Sequence, residues 1–160
     1  MSRKRHYWVY ILYSQIVASS NWSWAMQIMF IIAQVLHVLS GVFWGGTTFA
    51  LARIGGDTAT PLYKPQMGAA GVAIATGGLL WFLLHRGSFG TQEHVLGAGA
   101  ICAVLAAGVQ AVAYVYVPHN LGDSNEPEVA KLRHRTATGQ RIAALLLVVT
   151  IGCMAAARYV

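Results

Sequence analysis

An all-α fold is predicted: an integral membrane four-helix up-down-up-down bundle with an N-terminal interfacial segment. Three observations predict it. The 160 residues are 56% hydrophobic and only 10% charged, against about 25% charged in soluble domains. The apolar residues fall into four long blocks, and almost all of the formal charge of +6 lies outside them. Each block approaches the ~20 residues that cross a hydrocarbon core, where the backbone must satisfy its own hydrogen bonds as helix.

Residues 1–24 come first. Arg3, Lys4 and Arg5 precede an apolar stretch from Tyr7 to Ala18, as in a signal peptide. That stretch is rich in Tyr, Trp and Gln, and no small-x-small cleavage site clearly ends it. With Trp22 and Trp24 behind it, it reads as an interfacial segment, since Trp and Tyr favour the membrane boundary. The transmembrane domain is 25–160. Its first span, 25–53, is closed by Arg53 and a turn at Gly55, Gly56 and Asp57. The second, 66–85, follows Pro61 and Pro65 and ends at His85 and Arg86. The third, 94–117, lies between His94 and Pro118. A polar segment, His119 to Arg141, leads into the fourth, 138–158. Short connections make neighbouring helices antiparallel, so both chain ends fall on one side.

The charge count leaves the orientation open. The side of the termini holds Arg3, Lys4, Arg5, Arg86 and Arg158; the other holds Arg53, Lys64, Lys131, Arg133, Arg135 and Arg141. Basic residues scattered over separate connections argue against a nucleic-acid patch and for the lipid bilayer as partner, with anionic headgroups beside them. Cys102 and Cys153 lie inside apolar blocks with no CxxC, and read as small packing residues.

His37 carries most of the functional signal. It stands deep in the first span, and an ionisable group there marks function by default. Gly41 and Gly45 follow at i+4 and i+8 on the same face. A glycine pair of this kind serves helix packing, or leaves room for a flat cofactor against the backbone. An inward imidazole is an axial ligand for haem iron; the bland reading is a hydrogen bond across the bundle. His94 opens the third helix, which runs parallel to the first, so the two histidines could clamp one iron; alternatively it is an interfacial residue. Gln34, one turn before His37, is a candidate hydrogen-bonding neighbour. Arg53, with Arg135 and Arg141 on its side, could hold haem propionates or act as an interfacial anchor, and Arg86 competes from the other side. His85, His119, His6 and His134 lie at span ends or in polar segments. Met26 and Met29, with His6, give a weak indication of copper.

No GxSxG, phosphate loop or HExxH is present. All five acidic residues, Asp57, Glu93, Asp123, Glu126 and Glu128, lie outside the spans. Hydrolase, nucleotide and carboxylate-relay chemistry are therefore not expected.

The run LHVLSGVFWGGTTFALARI, Leu36 to Ile54, resembles the first helix of small bacterial membrane proteins of the HemJ-type protoporphyrinogen oxidase and CopD copper-resistance group. His37, Trp44, Gly45 and Arg53 carry the match. KPQMGAAGVAIATGGLLWFLL resembles the next helix of that group, and RHRTATGQRIAALLLVV the start of the last. The resemblance implies haem b binding, with His94 in the region of the second ligand, and a place in the bacterial inner membrane. The expected function is thus a haem b membrane protein with an electron-transfer or oxidoreductase role, acting on a quinone or porphyrin or passing electrons to a redox partner. His37 and His94 would be the metal ligands. A copper-handling or transport protein of CopD type, and a structural subunit of a membrane complex, are the alternatives; a homo-oligomer is open.

Overall fold

The computed structural model describes the backbone of residues 3–54, 60–84, 90–115 and 126–160, and the side chains within those ranges from Ser23 onward except at positions 60, 114, 128, 129 and 132. Four helices make up the described residues: α1 (Arg3–Ile54), α2 (Thr60–Leu84), α3 (Thr91–Val115) and α4 (Glu126–Ala156), with a closing 3-10 turn at Ala157–Tyr159. Each contains a stretch long and apolar enough to cross a membrane: Ser23–Ile54, Pro61–Leu84, Thr91–Ala113 and Arg133–Tyr159. The chain is therefore a multi-pass membrane protein in form, and the up-down-up-down order holds.

The helix bounds differ from the sequence reading in three places. The segment 1–24 is not set off by a break, because α1 runs without interruption from Arg3 through the span. Its first twenty side chains lie outside the described ones. α2 starts at Thr60, ahead of both prolines. Pro61 sits in the first turn, where an N–H has no helical partner to lose, so only Pro65 removes a bond. Tyr63 and Gln66, both buried, draw this first turn into the bundle. α4 starts at Glu126, well before the apolar residues. The sequence Glu-Pro-Glu suits a helix start, with proline in the first turn and acids at the positive end of the dipole. His85 and His119 lie outside the described residues, and the side chain of His6 lies outside the described ones.

Packing follows the rule for helices in lipid, where small side chains allow close approach. The core joins Trp44 to Ala70, Ala73, Ala103, Ala106, Ala143 and Leu147. α3 and α4 meet closely at Gly99: a Cβ there would stand 2.9 Å from Cys153 Cβ and 3.3 Å from the Thr150 carbonyl oxygen. The Thr150 hydroxyl also donates to the Gly99 carbonyl at 3.0 Å. α1 packs on α2 and α4, and the seam between α2 and α3 is thinner. Apolar side chains such as Ile31, Leu39, Val42 and Phe82 point outward, as a lipid-facing surface requires.

Candidate functional site

His37 faces α2, half-buried, near the middle of its span. Its Nδ1 lies 2.9 Å from the Ala73 carbonyl oxygen and 3.3 Å from Thr76 Oγ1. These two partners decide the tautomer. A carbonyl can only accept. The Thr76 hydroxyl places its own proton on the Val72 carbonyl at 2.6 Å, so toward His37 it also accepts. Nδ1 therefore carries a hydrogen, and in the neutral ring the lone pair is on Nε2. Gly77 provides the space: a Cβ there would come within 2.9 Å of His37 Cε1. The sequence placed the glycine partner of His37 on its own helix, whereas the ring lies against a glycine of the next one.

Gly41 and Gly45 are not sites of close helix contact. Gly41 is half-buried and Gly45 buried, yet a Cβ at either would meet nothing within 4 Å. Along α1, beyond His37, the structure thus leaves open space at two successive turns. Gln34 is exposed on the outer face of α1, and the Nδ1 of His37 goes to α2 instead. Arg53 is exposed at the end of α1, sixteen residues from His37, or about 24 Å along the axis.

His94 and His37 are not brought together. His94 is exposed at the first turn of α3, and its Nδ1 lies 2.7 Å from the Gly90 carbonyl oxygen. Beside it, Glu93 Oε2 accepts from the Gly90 N–H at 2.7 Å, half of a capping box. Both residues thus satisfy the helix start. The depths differ too. Gln110 of α3 is bonded to Trp44 and Thr48 of α1, which sets the relative level of these parallel helices. Counting back from there puts His94 roughly 10 Å from the level of His37 along the bundle axis.

A second buried polar group joins all four helices, and the sequence reading passed over it. Thr48, Gln66, Gln110 and Gln140 come from α1, α2, α3 and α4, with Trp44 beside them; none is more than 3% exposed. Trp44 Nε1 donates to Gln110 Oε1 at 2.7 Å. Gln110 Nε2 donates to Thr48 Oγ1 at 2.9 Å and to Gln140 Oε1 at 3.1 Å. Gln66 Nε2 donates to Thr48 Oγ1 at 2.9 Å and to Gln140 Oε1 at 3.4 Å, and Gln140 Nε2 returns a bond to Gln66 Oε1 at 3.4 Å. The polarity is self-consistent. The Thr48 proton goes to the Trp44 carbonyl at 2.7 Å, so its oxygen accepts from both amides. The indole only donates, so Gln110 must turn its oxygen to Trp44. The signal was three glutamines inside or at the edge of apolar blocks, where an amide needs partners on other helices.

Among the described residues no three His, Cys, Asp or Glu side chains are grouped to hold a metal ion. Comparison with protein families, with curated proteins and with solved structures finds no match to this chain.

Proposed function

We propose that this chain is a haem b-binding membrane protein with a redox role, and that His37 Nε2 is its iron ligand. One observation carries the reading. Nδ1–H is fixed by Ala73 and Thr76 of α2, which in the neutral ring leaves the Nε2 lone pair to serve as a ligand inside the apolar span. A ligating histidine usually has its second ring nitrogen held in this way. The open space over Gly41 and Gly45 suits a flat ring lying along α1. A porphyrin brings its own four nitrogens and asks the protein for one or two more.

What haem would supply is one-electron chemistry in the membrane. The protein's own part is to hold the imidazole in one tautomer and one orientation, and to keep water from it with apolar side chains. His94, occupied with the start of α3, is not needed in this reading, and His37 is the single protein ligand. The test is an absorption spectrum of protein purified from haem-supplied cells. A Soret band that His37→Ala abolishes and His94→Ala leaves in place is expected. A colourless wild-type protein overturns the reading.

A further inference from the structure

We infer that this chain pairs with a second copy of itself, α1 against α1 in parallel, along the seam Trp24, Gln27, Ile31, Gln34 and Val38.

α1 outruns the rest of the bundle. The glutamine group sets a common level, with Thr48, Gln66, Gln110 and Gln140 bonded side by side. Toward the N-terminal end of α1, the other helices stop together. Leu84 is 18 residues from Gln66, Thr91 is 19 from Gln110, and Tyr159 is 19 from Gln140. Arg3 is 45 residues from Thr48. α1 thus leaves its neighbours near Met29 and continues for about 40 Å as a lone helix. Burial agrees, since every residue from Ser23 to Met29 is exposed.

The exposed surface is patterned. Trp24, Gln27, Ile31, Gln34 and Val38 are all exposed, and follow one another at intervals of 3, 4, 3 and 4 residues. This is the seam spacing of a two-stranded coiled coil. Its stripe lies about a quarter-turn around α1 from His37 and Trp44, which enter the bundle.

Lipid can cover the apolar members of the seam but not the amides. Gln66, Gln110 and Gln140 are buried and bonded across helices. Gln27 and Gln34 are exposed, and neither makes a side-chain hydrogen bond among the described residues. Gln34 stands one turn from His37, with exposed Ile31, Ile32, Val35 and Leu36 around it. Hydrocarbon at that depth has no donor or acceptor to give, and an amide there finds its partner on another helix.

Symmetry names the partner. Two copies inserted in one orientation are related by a twofold axis along the membrane normal, so their α1 helices run parallel and each seam residue meets its own counterpart. Each glutamine then faces a glutamine, and an amide both donates and accepts. β-branched Ile31 and Val38 at alternate seam positions fit two strands. The seam stops short of Gly41 and Gly45, so pairing leaves the proposed place of the haem open and does not depend on it.

Single cysteines in the full chain, in a Cys102→Ala/Cys153→Ala background, test this in the membranes of expressing cells. On oxidation, Ile31→Cys should give a disulfide-linked species of twice the chain mass. Leu36→Cys, exposed on the opposite side of α1, should not. Equal cross-linking of the two, none at Ile31→Cys, or a link to a different protein overturns the pairing. In otherwise unaltered protein, Gln27→Leu with Gln34→Leu should raise the dimer dissociation constant roughly tenfold in a dilution series in lipid vesicles, with the helical circular-dichroism signal unchanged. A constant that does not move overturns the assignment of the amides as the join between the copies.

Discussion

Replacing Gln110 by methionine keeps the length of the side chain and deletes its amide. Three bonds vanish at once, to Trp44 Nε1, Thr48 Oγ1 and Gln140 Oε1. Interhelical hydrogen bonds in membrane proteins are worth about 0.6 kcal/mol each on average, so three give about 2 kcal/mol. The loss is uneven. Thr48 and Gln140 keep a second partner in Gln66. The indole N–H of Trp44, 3% exposed, loses the acceptor that held it, and a buried donor left unpaired costs about 1–3 kcal/mol more. The expected destabilisation is thus about 3–5 kcal/mol. Reversible unfolding in mixed micelles, followed by circular dichroism, measures it, with the outward-facing Val112→Ala as control. A double-mutant cycle with Trp44→Phe should return a coupling of about 1–2 kcal/mol. A Gln110→Met loss no larger than that of the control would refute the view that this group ties the four helices together.

Gly77→Ala should destabilise by about 1–3 kcal/mol, since its Cβ would stand 2.9 Å from the His37 ring, while Gly78→Ala, with nothing within 4 Å, should be neutral in the same unfolding assay. Gly41→Ala and Gly45→Ala should leave the helical circular-dichroism signal and stability near wild type, because a Cβ at either meets nothing within 4 Å, yet lower haem content by crowding the place of the ring; unchanged haem content would move the cofactor away from these glycines. Thr76→Val removes one of the two acceptors on His37 Nδ1 and retains the Ala73 carbonyl, so it should keep haem and shift the midpoint potential; an unchanged potential would mean the hydroxyl does not tune the imidazole.

The fold was legible because bilayer physics leaves a chain little choice. Four uncharged blocks of the right length must be helices, and their short connections make them antiparallel. Helix starts were less legible. Pro61 and Pro65 read as a boundary from the sequence alone, yet Tyr63 and Gln66 bury that turn against α1. His37 stood out by its depth, but not which helix it would face. That depended on Gly77, one of several glycines in α2 with no mark to distinguish it. Pairing of His37 with His94 assumed that parallel helices bring equal depths together. The bonds of Gln110 to Trp44 and Thr48 instead set His94 roughly 10 Å from the level of His37, and its ring goes to the Gly90 carbonyl of its own helix start. The glutamine group needed four helices to be placed before three separate amides became one network.

The account rests on His37 Nε2 holding iron, and cavity rescue tests that most directly. His37→Gly should purify folded and without a Soret band, and adding imidazole with haem should restore the band, with the small molecule filling the space of the lost ring. A His37→Gly protein that keeps its full haem content without imidazole would contradict the assignment outright.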